Sequence, residues 1–352
     1  MEETSVAFLK RLLATPSPSS EEAAAGRLWR EEAGRFADTT YADVRGSSFA
    51  VLQGGAPRVM LAGHIDEIGL MVSYIDDDGY LYFSSIGGWD SQVLVGQRVR
   101  LLGRSGELIG VIGKKAIHLM KPDERERVSK IEDLWIDIGV KSRAEANERL
   151  RVGTVGVIDG PVYELPHGRI ASRGLDNRIG AFTVLEALRL LAADRPSATV
   201  AAVATSQEEI TFAGAYTAAY GFDPQVAIVV DVTHATDSPG SDKHRGGDVK
   251  LGGGPVLDRG SAVSPVVFEM LVAIAEREQI PHTITISPGR TGTDADAINL
   301  IRAGVACGLI SIPNRYMHSP SEMIALEDVQ NAARLIAAFV REISADTDFV
   351  PR

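Results

Sequence analysis

Cysteine occurs once in these 352 residues, at Cys307, so no disulfide can close within the chain and no thiolate metal cage can form. Cys307 lies in the apolar run Val305-Ala306-Cys307-Gly308-Leu309-Ile310, where a small buried hydrophobe is expected rather than a reactive thiol. Aromatic residues are scarce at 6%, with 3 Trp, which leaves no dense stacking platform for sugars or bases. No window approaches the roughly 18 uncharged apolar residues of a membrane-spanning helix, so no membrane partner is expected. The first residues, MEETSVAFLK, are acidic where a secretory leader would be basic, and no apolar stretch follows. With the missing disulfides, this points to the cytoplasm. Basic clusters are also missing. Asp and Glu number 47 against 36 Lys and Arg, and the resulting charge of −11 repels phosphate backbones, which argues against a nucleic-acid partner.

What is present is an ordinary globular composition, 45% hydrophobic and 24% charged, in a chain long enough for about two domains. Leu9, Leu12 and Leu13 give a first helix an apolar face, and Pro16 and Pro18 end it. Ser19 and Glu22 have capping-box spacing for a second helix reaching about Phe36. Strand-like runs follow at 48–52 and 58–62. From Gly69 to Tyr163 short β-like runs alternate with turn signals at Asp77-Asp78-Gly79, Ser105-Gly106 and 110–113, and Ser142 with Glu145 caps a short helix over 143–150. From Ile170 onward, helical patterns at 178–192, 212–220, 265–278, 295–303 and 326–343 alternate with apolar strands at 198–204, 226–230, 282–286 and 305–312. The expected fold is α/β, with a central, mostly parallel sheet flanked by helices. Residues 1–68 and 164–352 form the sheet domain, and 69–163 form an inserted β-rich domain.

Five segments place His, Asp or Glu at or just beyond an apolar strand, the edge where sites assemble in open α/β sheets. They carry His64 and Asp66, then Asp176, then Glu208 and Glu209, then Asp231, and finally His318. Each has an ordinary explanation alone: a structural imidazole for His64 or His318, an N-cap for Asp176, a solvated pair for Glu208-Glu209, a turn for Asp231. Together they form a nitrogen/oxygen donor set suited to zinc, cobalt or manganese.

The segments GHIDEIG, RGLDNRIG, SQEE, VVDVTHA and MHSPSE, in this order and at these separations, resemble the tetrahedral aminopeptidases, dinuclear metallopeptidases of the zinc-exopeptidase kind. The resemblance covers nearly the whole chain, the insertion included. It implies two divalent metal ions per subunit, with zinc the first choice and cobalt or manganese also accepted. It implies His64 and Asp231 as terminal ligands of one metal, Glu209 and His318 of the other, and Asp176 as the bridge. Glu208 becomes the general base acting on a water that the two metals activate, and Asp66 the carboxylate that orients His64. The peptide bond after Asp176 is expected to be cis. Ser287 to Asp296 resembles the family's glycine-rich loop near the metals, although Asp296 stands where many relatives have a small residue. The implied activity is removal of the N-terminal residue from short peptides with a free N-terminus. The insertion resembles a dimerisation domain, which implies homodimers and a tetrahedral dodecamer.

The chemistry fits these residue types. Two metals about 3.5–4 Å apart polarise an amide carbonyl and acidify water. A carboxylate that is not a ligand must then move the proton to the leaving amine. Glu208 and Glu209 would face opposite ways in a regular strand, so both can serve one site only where the strand has ended. A metal-dependent deacylase of N-acyl amino acids would use the same donor set. A glycoside hydrolase is suggested by the cellulase label some relatives have carried, but its two carboxyls must stand about 5–9.5 Å apart across a sugar. A non-catalytic assembly protein would need none of the ligands. His234, three residues after Asp231, either faces the pocket or caps a turn, with the turn preferred, and His118, His167, His244 and His282 are given no role.

Overall fold

The apolar runs are short and bounded by turn residues, and they pair side by side. The computed structural model, which describes residues 1–352, has one eight-stranded sheet in the order Thr39–Ala42, Ser48–Leu52, Ala198–Thr205, Gly55–His64, Val226–His234, Ala306–Asn314, Val256–Gly260, Thr283–Ser287. The four central strands from Ala198–Thr205 to Ala306–Asn314 pair in parallel, as do the last two. The sheet is mixed but mostly parallel: three pairings are antiparallel, those of Ser48–Leu52 with both its neighbours and of Val256–Gly260 with Ala306–Asn314, and the other four are parallel. Thr39–Ala42 and Ser48–Leu52 are joined by a turn over 43–47, too short for the crossover that parallel strands require.

Helices flank this sheet. Leu175–Ala193 packs on the central strands and against Leu326–Glu342, which in turn meets Pro265–Arg277. Ala213–Phe222 packs on Gly55–His64 and Ala198–Thr205, and against Ala295–Ile298. The contact between Gly55–His64 and Leu175–Ala193 is too close for a side chain. A Cβ on Gly63 would lie 2.4 Å from the carbonyl carbon of Gly180. This approach brings His64 over the start of the helix that follows Asp176.

The chain leaves the sheet after His64 and, from Gly69, closes a six-stranded barrel from Gly69–Ile75, Leu81–Ile86, Trp135–Asp137, Gly106–Gly113, Arg98–Gly103 and Val155–Ile158. The barrel has its own core of 14 buried residues, including Leu70, Phe83, Leu101 and Ile136, separate from the 70 residues under the large sheet. Tyr163–Leu165 and Arg169–Ser172 then join Glu322–Ala325 in a small antiparallel sheet. No helix is long and apolar enough to cross a membrane.

Three local expectations need correction. Gly110 and Gly113 do not mark a turn; both lie inside a barrel strand, where a Cβ on Gly110 would come 2.5 Å from Ile136. Ser19 and Glu22 do not form a capping box for the helix Ala23–Ala33: Glu22 is its N-cap residue but its side chain bonds none of the helix amides, and both side chains turn to the site described below. The helix expected over 295–303 stops after Ala295–Ile298, where the Asn299 side chain donates back to the Ala295 carbonyl at 2.6 Å.

Candidate metal centre

All but one of the candidate side chains are delivered by the carboxyl half of a parallel strand or the loop beyond it; Asp176 instead follows Arg169–Ser172 of the small antiparallel sheet. His64 closes Gly55–His64, and its neighbour across the ladder is Thr205, the last residue of Ala198–Thr205. That strand ends before the acidic pair. Gln207 takes a left-handed backbone (φ 59°), and Glu208–Thr211 form a single helical turn, so both glutamates face one cavity. Asp231 lies on Val226–His234, and His318 (φ 58°) sits in the loop between Ala306–Asn314 and Glu322–Ala325. The Asp176–Asn177 peptide bond is cis. Asp176 is not an N-cap, since Asn177 Oδ1 takes that task by accepting from the Gly180 amide at 2.9 Å.

Two donor triads result, His64–Asp176–Asp231 and Asp176–Glu209–His318, and they share Asp176. His64 Nε2 lies 3.2 Å from Asp176 Oδ1 and 3.9 Å from Asp231 Oδ1. His318 Nε2 lies 3.3 Å from Asp176 Oδ2 and 3.5 Å from Glu209 Oε2. Asp176 thus turns one oxygen to each imidazole. Glu208 belongs to neither triad, but its Oε2 is 3.5 Å from His64 Nε2. These residues line a cavity of about 380 Å³ with Phe212, Met317 and the loop Thr291–Thr293.

The donor set fits divalent cations. Asp176, Glu208, Glu209 and Asp231 face the cavity beside three imidazoles, of which His234 is exposed, and Glu209 Oε1 is buried without a hydrogen-bond partner. Burial of so much like charge is costly without a counter-charge. Burial pushes Asp231 up to about 8, with His64 opposing and Asp176 adding to the rise. Burial likewise lifts Glu208 and Glu209 well above the usual carboxylate range. Burial disfavours the charged form of His64, but Glu208, Asp176 and Asp66 outweigh it and raise its pKa. Asp176 goes the other way: burial raises it, but hydrogen bonds from His318 and His64 prevail and hold it below its ordinary value.

A second layer fixes the geometry. Asp66 Oδ1 accepts from the Glu208 amide at 3.1 Å, and Oδ2 accepts from the Glu209 amide at 3.3 Å and the Ser19 hydroxyl at 2.7 Å. His64 Nδ1 faces Asp66, 3.1 Å from its carbonyl and 3.4 Å from its carboxylate. One buried aspartate therefore holds both an imidazole and the turn carrying the two glutamates. Glu22 Oε1 accepts from the Gln207 amide at 3.2 Å, and Ser47 Oγ from the Ser206 amide at 3.3 Å. Four successive amides, from Ser206 to Glu209, are clamped by side chains.

Glu322 was missed from sequence. Its Oε2 accepts from the Asp176 amide at 2.8 Å and its Oε1 from the His318 amide at 3.0 Å. Asp294 was missed too; it is buried, accepts from Thr205 Oγ1 at 2.5 Å, and is pushed up to about 6 by burial. The MHSPSE and TGTDAD segments contained these residues, but nothing in their spacing set them apart. Asp296 folds the glycine-rich loop by accepting from the Thr291 and Gly292 amides. His234 does not cap a turn; its exposed side chain lines the cavity.

A mixed α/β sheet with two metal-ligand triads sharing one carboxylate at its parallel edge defines a metallohydrolase of the exopeptidase kind. The chain belongs to the M42 glutamyl aminopeptidase family, whose profile matches residues 46–335. It is 38% identical over 320 residues to the lysyl aminopeptidase of Pyrococcus furiosus, covering 90% of each chain. Its fold matches a TET aminopeptidase from a marine-sediment thaumarchaeal archaeon with a TM-score of 0.93 at 36% identity, over 97% of both chains. It also matches the TET1 peptidase of Pyrococcus horikoshii, described as assembling into a tetrahedron or a large octahedral shell, with a TM-score of 0.85 at 30% identity over 96% of this chain and 100% of the other. The protein is therefore a metal-dependent aminopeptidase, a hydrolase of peptide bonds.

Proposed function

We propose that the chain removes the N-terminal residue of short peptides with Glu208 as the proton carrier. The observation that carries this is the pair of triads sharing Asp176, with Glu208 free of both. His64 and Asp231 would hold one cation, Glu209 and His318 the other, and Asp176 both. Zinc is the proposed metal, with cobalt or manganese compatible with the same donors. When bound, two such cations polarise the substrate carbonyl and make water a stronger acid. Glu208 accepts a proton from the attacking water as its oxygen bonds to the carbonyl carbon. It then delivers that proton to the leaving nitrogen as the carbon–nitrogen bond breaks. Burial raises its pKa, the direction that a carboxyl taking up and giving back a proton requires. Asp66 and Glu22 keep the Ser206–Glu209 turn in place during this cycle.

We further propose that residues 1–68 and 164–352 act as the catalytic domain and 69–163 as a dimerisation domain, with dimers assembling into a tetrahedral dodecamer. The exposed apolar side chains Met71, Tyr74, Ile109 and Val111 on the barrel strands support that surface, as does the assembly described for the horikoshii relative. A cytoplasmic setting agrees with the single free thiol of Cys307.

The test is to strip the metals, add back zinc, cobalt or manganese singly, and measure release from a panel of aminoacyl-anilides and N-acyl amino acids. Metal-dependent cleavage of the anilides alone is expected. Cleavage restricted to the acylated compounds would replace this function with a deacylase.

A further inference from the structure

A second cavity, of about 500 Å³, adjoins the metal centre, since His234 lines both. It contains Arg245, Asp242, Ser241, Tyr316 and the buried Asn314. Nearby, Lys243 and Lys250 both pair with Asp248, whereas Arg245 pairs with no carboxylate. Asn314 Oδ1 accepts from the Met323 amide at 3.2 Å, but its Nδ2 is buried with no acceptor. Asp242, the only acid in the lining, is occupied in part by the His244 amide at 2.9 Å.

We propose that this cavity receives the part of the peptide beyond the cleaved bond, and that Arg245 binds the peptide's free C-terminal carboxylate. The inference rests on the aminopeptidase function above and specifies its substrates as short peptides with an unblocked C-terminus. An exopeptidase must enclose the first residue and let the rest of the chain leave. Ile210, Phe212 and the loop Thr291–Thr293 wall the first cavity, and His234 opens onto the second. Along the strand, His234 lies three residues past Asp231, roughly 10 Å at a strand's rise. An extended peptide covers about 3.3–3.6 Å per residue, so a carboxylate two or three residues past the cleaved bond reaches this region. The guanidinium fork is suited to two parallel hydrogen bonds with a carboxylate.

The test compares kcat/KM on tri- and tetrapeptides with a free C-terminus against the same peptides amidated, using the zinc-loaded full-length enzyme. The wild type should prefer the free acid by about tenfold, the scale of one hydrogen bond to a charged group. Arg245→Ala should bring the acid-to-amide ratio close to one. Asp242→Asn keeps a side chain able to cap the same amide while removing a negative charge, so it should raise the ratio. General damage lowers both substrates together, so it leaves the ratio standing. A ratio near one in the wild type, or unchanged in Arg245→Ala, overturns the subsite while the aminopeptidase function stands. Failure of the wild type to cleave either form overturns both.

Discussion

Asp66 gives the sharpest test of how the second layer supports the metal centre. In Asp66→Asn the remaining carbonyl oxygen can still accept from one glutamate amide. The new amino group then faces the other amide, donor against donor, although the Ser19 hydroxyl can turn to accept. One buried backbone amide is left without a partner, at a cost of about 1–3 kcal/mol. The glutamate turn and the His64 ring both loosen, because the same side chain faces Nδ1. Loss of such a supporting carboxylate typically weakens metal affinity by about 10–100-fold. Zinc affinity measured by competition with a chelator should fall by that factor, and kcat at saturating zinc should fall as well. Ser19→Ala removes only one donor to the same carboxylate and should have a much smaller effect. Wild-type zinc affinity and kcat in Asp66→Asn would refute the linkage between the second layer and the metals.

Glu208→Gln should retain metal and fold while kcat drops by about 10²–10⁴, the usual worth of a positioned acid–base group; unchanged turnover removes Glu208 from the proton path. Glu22 provides a stability test by pH: burial first, and Asp66 second, push its pKa up to about 7 from 4.5. The folded state then holds a proton that the unfolded state has lost, so this group's contribution falls as pH rises from about 4.5 to 7, by about 3 kcal/mol at most. Glu22→Gln keeps an acceptor for the Gln207 amide, so denaturation of the metal-free protein should show the variant gaining stability over wild type as pH rises through that window; a pH-independent difference contradicts the assignment. Gly63→Ala forces a Cβ to within 2.4 Å of the Gly180 backbone and should cost about 1–3 kcal/mol or more in chemical denaturation, with weaker metal binding; wild-type stability would mean the helix can shift freely.

The donors that converge on the cavity were legible because each comes at or just past the end of an apolar run, and such ends survive in one dimension as a change from apolar residues to His, Asp or Glu. The requirement that Glu208 and Glu209 lie past their strand was also legible, and the left-handed Gln207 meets it. The supporting groups were not legible. Glu322 acts by reaching two amides far apart in sequence, Asp176 and His318, and no local spacing encodes that. Ser19 and Glu22 misled for a related reason: their spacing suits a helix cap, but their acceptors and donors lie on Asp66 and Gln207. The barrel glycines resembled turns because sequence does not distinguish a glycine needed for a turn from one needed for close strand packing.

The central claim is that two cations share Asp176, and anomalous diffraction at the zinc edge from crystals of the zinc-loaded protein tests it most directly. Two peaks should flank Asp176, one beside His64 and Asp231 and the other beside Glu209 and His318, each disappearing selectively in His64→Ala or His318→Ala. A single peak, or a pair with Asp176 outside bonding range of either, would contradict it.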